Sequence, residues 1–394
     1  MSRDSRATPR VLVSAGAEKQ SLAAVRSLGR AGFSADVLNS RPDAPAFRSR
    51  WCNEGIVSPS NLDAGAYVRF LLDRVRRHRY VTVLACDDLT ATCLSQHREA
   101  FARHTRLALP APGILERATD KAELVRLSTD SGIPVPRTLH PQTRAQADRM
   151  ASELGLPLIL TGAHGWGAQH VRLVQRVDDL GPYLEQIAAL EDGRLPMMQE
   201  FVPGVGYGFS TLFRHGQARA LFMHRRASEY DVRSGGAPYS CPMAESVDEP
   251  ELRRHGLTLF EALGWHGLGM AEWRRDTRNG RFVLMEINPR LVGSTDLAIR
   301  CGVDLPVLAC RMLLDGDVPP VLEYPTGVRM RWLLPDALRD LLARPRQAFR
   351  QHLGGASSDW CWRDLMPHWM QLRIATWELR HAGRRGTPTG RDPH

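Results

Sequence analysis

Lysine is almost missing from this 394-residue chain: Lys19 and Lys121 are the only two, and the other basic residues are arginines. The formal net charge is +9, a balance that can indicate nucleic-acid binding. The arginines are scattered among acidic residues and form no basic and aromatic stripe, so we expect no nucleic-acid partner. A lysine kept in such a chain indicates a position that needs a compact point charge instead of a guanidinium fork.

Long hydrophobic runs and organised cysteines are missing as well. No apolar stretch approaches the roughly 20 residues that a membrane-spanning helix needs, and the polar N-terminus lacks the apolar core of a signal peptide. The seven cysteines show no CxxC spacing, which predicts reduced thiols and a cytoplasmic protein. A 43% hydrophobic and 24% charged composition is typical of a globular chain.

The first third of the chain alternates apolar strands with a helical pattern. Residues 10–16 are typical of a strand that enters a small-residue turn, and residues 33–38 and 80–86 of further buried strands. A helical pattern from Leu22 to Leu28 separates the first two. This alternation predicts an open parallel sheet with helices on both faces, of the Rossmann type. No G-x-G-x-x-G follows the first strand, so a dinucleotide site is disfavoured.

The most informative motif is MEINPRLVGS, residues 285–294, which follows an apolar run at 282–284. Glu286 and Asn288 are two residues apart and therefore share one face of the predicted strand. Oxygen ligands on one face suit a hard cation such as Mg²⁺. Arg290 adds a positive fork suited to phosphate or carboxylate. The motif therefore predicts metal-assisted chemistry on a phosphorylated species.

The middle of the chain has patterns that predict a helix and a glycine-rich hairpin. A helix is predicted over 119–132, and strands over 156–161 and 170–174. The tip between these strands contains Gly165 and Gly167. Glycine lets backbone N–H groups approach a phosphate closely, although a plain hairpin is the commoner meaning of such a tip.

Together these motifs resemble the ATP-grasp enzymes, of the carbamoyl-phosphate-synthase-like or carboxylate–amine ligase type, over residues of about 10 to 335. The strings that carry the resemblance are DK at 120–121, GIPVP at 132–136, the glycine loop at 162–167, QEFVPG at 199–204, HRR at 224–226, SGG at 234–236, ES at 245–246, LGWHG at 263–267 and the motif at 285–294. The resemblance implies a mixed α/β and α+β architecture. An N-terminal Rossmann-like pre-ATP-grasp domain would span 1–113, and a two-lobed ATP-grasp fold 114–316, with a small lobe at about 114–198 and a large lobe at about 199–316. A C-terminal extension would span 317–394.

The resemblance also implies a function: an ATP- and Mg²⁺-dependent ligase that activates a small-molecule carboxylate as an acyl phosphate for attack by an amine. Arg226 and Arg290 would stabilise the transferring phosphoryl group. The implied metal ligands, for Mg²⁺ or alternatively Mn²⁺, are Glu272, Glu286 and Asn288. The implied ATP contacts are Lys121, Thr161, Gly165, Gly167, Glu200, Phe201, Val202 and Leu284. The implied neighbours of the acceptor substrate are Gly235, Gly236 and Ser294.

Two positions depart from the family's pattern, and two other functions stay open. Thr161 stands where a second phosphate-binding lysine is usual, and Gly206 where an acid for the ribose is usual. A degenerate ATP-grasp protein that binds nucleotide without turnover is therefore one alternative, and a carboxylase or carbamoyl-transfer enzyme is another. Arginine-rich, lysine-poor usage is typical of a bacterial chain from a GC-rich genome.

The C-terminal extension gives weaker signals. Residues 369–385 predict a basic amphipathic helix that packs back on the body, with weak peripheral membrane contact as the alternative. The residues after Gly383 are expected to be disordered. A homodimer is left open.

Overall fold

The computed structural model describes residues 8–162, 171–228, 241–343, 345–346 and 355–382, and its strands form three sheets. The strands are β1 (Arg10–Val13), β2 (Ser34–Asn39), β3 (Cys52–Val57), β4 (Tyr80–Leu84), β5 (Thr138–Leu139), β6 (Leu158–Thr161), β7 (Val171–Val174), β8 (Met197–Glu200), β9 (Gly204–Arg214), β10 (Gln217–Ser228), β11 (Met243–Ser246), β12 (Gly267–Asp276), β13 (Phe282–Asn288), β14 (Arg329–Arg331) and β15 (Ser357–Ser358).

The helices precede, connect and follow these strands. They are α1 (Lys19–Arg30), α2 (Ala64–Arg77), α3 (Asp88–Gln96), α4 (Arg98–Ala102), α5 (Pro112–Thr119), α6 (Lys121–Asp130), α7 (Arg144–Leu154), α8 (Val177–Ala188), α9 (Pro250–Ala262), α10 (Thr295–Arg300), α11 (Leu305–Asp315), α12 (Leu338–Ala343) and α13 (Met366–Ala382). Short helical turns lie at Pro45–Arg48 and Leu333–Ala337. Among the described residues, no helix combines the length and the hydropathy that crossing a membrane requires.

The N-terminal sheet is parallel, with strand order β3-β2-β1-β4, as the strand–helix alternation predicts. Successive residues of β1 point to opposite faces: Val11 and Val13 pack with Leu28 of α1, and Leu12 packs with Leu71 of α2. Helices therefore cover both faces, and the Rossmann-like prediction is confirmed. The strand predicted over 80–86 ends earlier, at Leu84.

The small sheet is antiparallel, with strand order β5-β8-β6-β7. The helix predicted over 119–132 is shorter, at Lys121–Asp130, because the Asp120 side chain accepts a hydrogen bond from Glu123 N at 2.9 Å and caps the first turn. This cap places Lys121 at the start of α6. The hairpin prediction is confirmed by the pairing of β6 with β7, and the tip with Gly165 and Gly167 lies outside the described residues.

The large sheet has seven strands in the order β13-β12-β9-β10-β11-β14-β15, all antiparallel except the last pair. Helix α9 covers one face with Leu259 and Phe260. A Cβ on Gly256 would lie 2.6 Å from the Phe209 ring, so glycine permits the close approach of α9 to the sheet. Leu212 and Phe222 share an apolar cluster with β1 and α1. The N-terminal and large sheets are therefore joined by a continuous core, and the domain limits at 113 and 316 stay a prediction.

The C-terminal segment is anchored to the N-terminal sheet by a buried ion pair. Arg26 Nε of α1 donates to Asp364 Oδ2 at 2.8 Å, and these side chains are 6% and 1% exposed. Ser49 Oγ also donates to Asp364, at 2.9 Å. Helix α13 packs against the turns Pro45–Arg48 and Leu333–Ala337, so the expected packing on the body is confirmed, with bounds of 366–382 in place of 369–385.

Candidate functional site

The hairpin of β12 and β13 brings the three proposed metal ligands together. Glu272 pairs directly with Glu286, and Met270 pairs with Asn288. Directly opposite residues of an antiparallel pair point to the same face, and residues two apart on one strand do so as well. Glu272, Glu286 and Asn288 therefore lie on one face of the large sheet, as the motif predicts for Glu286 and Asn288 and the resemblance implies for Glu272.

A chain of polar contacts joins these side chains to both candidate catalytic arginines. Arg226 of β10 donates to Glu272 Oε1 at 2.5 Å. Asn288 Nδ2 donates to Glu286 Oε1 at 3.1 Å. Arg290 NH2 donates to Asn288 Oδ1 at 3.1 Å. The oxygen-bearing side chains are thus flanked by a guanidinium at each end.

The electrostatics of this cluster favour a cation. Burial and the adjacent carboxylate of Glu272 raise the pKa of Glu286, and the hydrogen bond from Asn288 opposes that rise. Like charges placed directly opposite each other on neighbouring strands are destabilising. No group of three or more His, Cys, Asp or Glu side chains that could hold a metal occurs in the described part of the chain. The donor set is instead two carboxylates and one carboxamide, an all-oxygen set that fits Mg²⁺.

Lys121 lies across from this cluster, on the small-sheet side. Its Nζ donates to Thr161 Oγ1, at the end of β6, and to Gly162 O at 3.3 Å. Burial lowers the pKa of Lys121, and the carboxylates of Glu286 and Glu191 oppose that effect. Lys121 is therefore near enough to Glu286 for the two charges to interact. The small and large sheets therefore bring one ammonium and two carboxylates to the same region.

Residues 200–202 connect the small sheet to the large sheet, as a hinge would. The Glu200 carboxylate is already engaged: Arg278 lies 2.5 Å from its Oε1, and Arg137 N donates to its Oε2 at 3.3 Å. Val202 O accepts a hydrogen bond from Arg274 Nε at 3.0 Å. Phe201 is partly exposed between them. Adenine recognition by these three residues stays a prediction, and Glu200 contributes an ion pair to the hinge in any case.

Two further predicted residues, Leu284 and Ser294, are buried on either side of the metal-ligand motif. Leu284 is 1% exposed, and its backbone N donates to Pro134 O at 2.8 Å. Ser294 precedes α10, and its buried Oγ has no hydrogen-bond partner among the described residues. An unsatisfied buried hydroxyl is costly, which is consistent with a ligand contact at Ser294. The predicted substrate residues Gly235 and Gly236 lie within 229–240, outside the described residues.

Asp88, at the start of α3, joins this cluster although none of the sequence motifs contains it. Asp88 Oδ1 lies 2.8 Å from Arg290 Nε, and both side chains are about one fifth exposed, at 20% and 19%. This ion pair raises the pKa of Arg290, against the effect of burial. The available signal was the pair of acidic residues, Asp87 and Asp88, directly after the strand predicted over 80–86.

Lys19 was also missed, although its rarity marked it. Its Nζ lies 2.8 Å from Asp336 Oδ2 and 4.4 Å from the centre of the Trp332 ring. Burial opposes its charge, but Asp336 holds the pKa of Lys19 above its usual value. A Cβ on Gly293 would lie 2.5 Å from Lys19 Cε, so the lysine lies directly against the residue before Ser294.

Comparison with known proteins identifies this arrangement. Residues 197–334 match the family model "ATP-grasp in the biosynthetic pathway with Ter operon". The chain is similar to the ATP-grasp superfamily over this range. The matched range contains both arginines and all three candidate metal ligands. The resemblance inferred from the motifs is therefore confirmed.

Curated ATP-grasp proteins match about half of the chain. The D-alanine–D-alanine ligase of Alkalilimnicola ehrlichii is 31% identical over 210 residues, which are 50% of this chain and 65% of that protein. The carbamoyl phosphate synthase large chain of Deinococcus radiodurans is 28% identical over 185 residues, 46% of this chain and 18% of that protein. The chain thus spans less than two thirds of the length of either relative.

A solved structure supports the fold over most of the chain. The N5-carboxyaminoimidazole synthetase of Staphylococcus aureus, complexed with ADP, superposes with a TM-score of 0.65 at 16% identity. The superposition covers 87% of this chain and 86% of that protein. The expected mixed α/β architecture is therefore confirmed.

Proposed function

We propose that this protein is an ATP- and Mg²⁺-dependent carboxylate–amine ligase, which activates a small-molecule carboxylate as an acyl phosphate that an amine then attacks. The observation that carries the proposal is the cluster of Glu272, Glu286 and Asn288 between Arg226 and Arg290. It combines metal-binding oxygens with two fixed positive charges on one face of the large sheet. The similarity of the chain to a D-alanine–D-alanine ligase supports C–N bond formation.

The residues present fit a magnesium ion bound with a nucleotide. Glu272 and Glu286 supply anionic oxygens, and Asn288 supplies a carbonyl oxygen. Magnesium typically takes one or two protein carboxylates and completes its shell with phosphate oxygens and water. When bound, the ion would neutralise phosphate charge during phosphoryl transfer. Mn²⁺ has similar ligand preferences and is the alternative ion.

The chain's own positive groups perform the remaining stabilisation. Arg226 and Arg290 present guanidinium groups on either side of the carboxylates, where the charge of a transferring phosphoryl group and of a carboxylate would develop. Lys121 would bind phosphate from the small-sheet side, held in place by Thr161. Phosphoryl transfer requires mainly positioning and charge neutralisation, so no serine or cysteine nucleophile is needed.

The acceptor end of the site would lie near Ser294. Its unsatisfied hydroxyl can bind a substrate oxygen or nitrogen, and Lys19 lies against the neighbouring Gly293. The predicted substrate residues Gly235 and Gly236 would contribute from the segment between β10 and β11. ATP as a substrate and the reduced cysteines support a bacterial cytoplasmic location, and a homodimer is compatible with this site.

The two alternative functions receive less support. A degenerate protein without turnover would have no chemical need for two carboxylates opposite each other with two arginines beside them. Carboxylases are among the relatives, for example pyruvate carboxylase 1 of Caenorhabditis elegans at 27% identity over 207 residues, 17% of that protein. Bicarbonate is therefore included among the carboxylates to be tested.

The experiment is an ADP-release screen over pairs of carboxylates and amines, beginning with amino acids and including bicarbonate alone. ADP release that requires both an organic carboxylate and an amine supports the proposal. Glu286→Ala should abolish this release, and Glu261→Ala, an exposed glutamate on α9, should leave it unchanged. Equal turnover by Glu286→Ala would contradict the metal assignment. Absence of Mg-ATP binding by calorimetry at millimolar nucleotide would favour the degenerate alternative, and amine-independent release with bicarbonate would favour a carboxylase.

A further inference from the structure

Helix α13 buries two polar side chains and exposes large apolar ones. His368 and Gln371 are 2% and 7% exposed, whereas Met366 and Trp369 are 59% and 64% exposed. A surface helix normally turns its apolar stripe toward the core. The reversed polarity of α13 leaves an apolar surface outside the protein, and such surfaces mark interaction sites when they are contiguous.

The exposed apolar residues form one continuous face. Within α13, Met366, Trp369, Arg373 and Trp377 follow each other at spacings of three and four residues, which places them on one side of a helix. Trp362, in the turn before α13, is 78% exposed, and Trp377 is 48% exposed. We call Trp362, Met366, Trp369 and Trp377 the tryptophan face. Every large hydrophobic residue with this exposure between 355 and 377 belongs to it.

A buried polar network fixes this orientation. Arg26 donates to Asp364 Oδ2 and also to the backbone oxygens of Asp359 and Asp364, each at 3.1 Å. Its NH2 lies 3.2 Å from His368 Nε2, and His368 Nδ1 lies 3.0 Å from Gln371 Oε1. Rotating α13 to bury its tryptophans would separate His368 from Arg26 and leave a buried polar contact unmade, which is unfavourable. The outward position of the tryptophan face is therefore supported by the polar network around Arg26.

The described charges beside this face are positive. Arg363 and Arg373 are exposed beside the tryptophans. Asp359 and Asp364, the described acidic residues of the same segment, are only 5% and 3% exposed. The surface presented here is apolar, aromatic and basic.

We propose that the tryptophan face docks the protein peripherally on an anionic lipid surface. Tryptophan is enriched at membrane–water interfaces, where its ring is apolar and its N–H remains hydrated. Arginines near the surface add an attraction to anionic headgroups. This inference concerns a surface of α13 and does not depend on the proposed ligase activity.

The charge of the region argues against a second copy of the chain as the occupant. A twofold dimer would place identical surfaces against each other, so Arg363 and Arg373 would meet a second set of the same charges. Anionic lipid is complementary to this face, whereas a second copy is not. The face is also a convex helix and not a groove, which makes it unlike the channels that hold single-stranded nucleic acid.

The test is sedimentation of the full chain with vesicles. We expect binding to vesicles of equal parts phosphatidylcholine and phosphatidylglycerol, and little binding to phosphatidylcholine alone. The double variant Trp362→Gln/Trp369→Gln should weaken binding to the anionic vesicles about tenfold or more, since each buried aromatic ring contributes substantially. Arg373→Gln should weaken it about fivefold, the factor equivalent to about 1 kcal/mol for one basic residue at an anionic surface.

Matched control variants distinguish binding by this face from nonspecific adsorption to vesicles. The double variant Leu62→Gln/Val177→Gln removes two other exposed apolar side chains, which are 58% and 72% exposed and lie elsewhere on the chain. Arg76→Gln removes an exposed arginine from α2. Both control variants should bind like the unmodified chain. An unchanged unfolding midpoint in the tryptophan variant would show that the loss of binding is not a loss of folding.

Three results would overturn the proposal. The first is no binding to anionic vesicles, and the second is undiminished binding by the tryptophan variant. The third is a lipid-free dimer in analytical ultracentrifugation that the tryptophan substitutions dissociate, because the face would then be a self-association surface.

Discussion

The substitution Glu286→Gln should change stability and nucleotide binding in opposite directions. Glu286 is paired across two strands with Glu272, and burial and that carboxylate raise the pKa of Glu286. Glutamine has nearly the same shape and keeps an oxygen that can accept from Asn288. The ligand-free protein therefore loses a repulsion, whereas the metal-bound protein loses an anionic ligand.

The repulsion between the carboxylates of Glu272 and Glu286 determines how much stability the ligand-free variant gains. Two unit charges about 5 Å apart, the Cβ spacing of directly opposite residues, repel by about 3 kcal/mol at an effective dielectric constant of about 20. The Arg226 contact with Glu272 and the Asn288 contact with Glu286 offset part of this. We therefore expect the ligand-free variant to be more stable by about 1 kcal/mol, or about 2 °C in unfolding midpoint.

The loss of Mg-ATP binding free energy should be larger than the gain in stability. Substitution of a residue that only supports a metal ligand already lowers metal affinity about 10- to 100-fold. Glu286 is a proposed direct ligand, so its substitution should have at least this effect. We expect Mg-ATP affinity to fall about 100-fold or more, equivalent to about 3 kcal/mol. Calorimetric titration measures the affinity, and thermal melts with and without Mg-ATP measure both effects in one sample.

A ligand-free Glu286→Gln protein that melts well below the unmodified chain would refute this reasoning. The carboxylate would then be a structural partner, for example of Lys121, and not half of a repelling pair. Undiminished Mg-ATP binding would refute the metal assignment. Glu261→Gln, at an exposed position on α9, is the control and should change neither quantity.

Four further results are expected. A chelator should remove the thermal stabilisation by ATP, because the nucleotide would be bound through the metal. Lys121→Met should weaken Mg-ATP binding about 10- to 100-fold in calorimetry, since a charged hydrogen bond contributes about 1.5–3 kcal/mol. Asp88→Asn should slow ADP release with little change in the KM for ATP, because Arg290 loses its ion pair. Asp364→Asn should lower the free energy of unfolding by about 3–5 kcal/mol in denaturant titrations, because it removes the carboxylate that pairs directly with the buried Arg26.

Controls exist for the charge substitutions. Asp73→Asn breaks an exposed pair with Arg77, whose side chains are 55% and 71% exposed, and should cost no more than about 1 kcal/mol. An Asp364→Asn protein as stable as Asp73→Asn would contradict the anchoring role of the buried pair. An unchanged rate of ADP release in Asp88→Asn would show that Arg290 needs no support from the N-terminal domain.

The hairpin that carries the candidate metal ligands could be predicted because its information is local. Glu286 and Asn288 follow the period of two of a strand, and the apolar run before them identifies that strand. Glu272 was implied by the resemblance to the ATP-grasp enzymes. The turn at Asn279–Gly280 joins its strand to that of Glu286 and brings the carboxylates opposite each other. Local patterns and the resemblance together were sufficient for this half of the site.

Contacts between sequence-distant segments could not be predicted in the same way. Asp88 reaches Arg290 only because the N-terminal and large sheets share a core. Arg26 and Asp364 are 338 positions apart, and neither lies in a motif. The inward polar side of α13 was also unpredictable, because its partner is the guanidinium of Arg26. Such contacts depend on how complete sheets pack, which no short window of sequence contains.

The departure at Thr161 has a structural consequence for the phosphate end of the site. Lys121 donates to Thr161 Oγ1, so the position where the family usually has a second lysine lies within hydrogen-bonding reach of the first. A lysine at 161 would place two ammonium groups side by side in a buried region where burial already lowers the pKa of Lys121. The threonine hydroxyl instead accepts a hydrogen bond from the single ammonium. This chain therefore combines one positioned lysine with the guanidinium groups of Arg226 and Arg290, which is consistent with its nearly exclusive use of arginine.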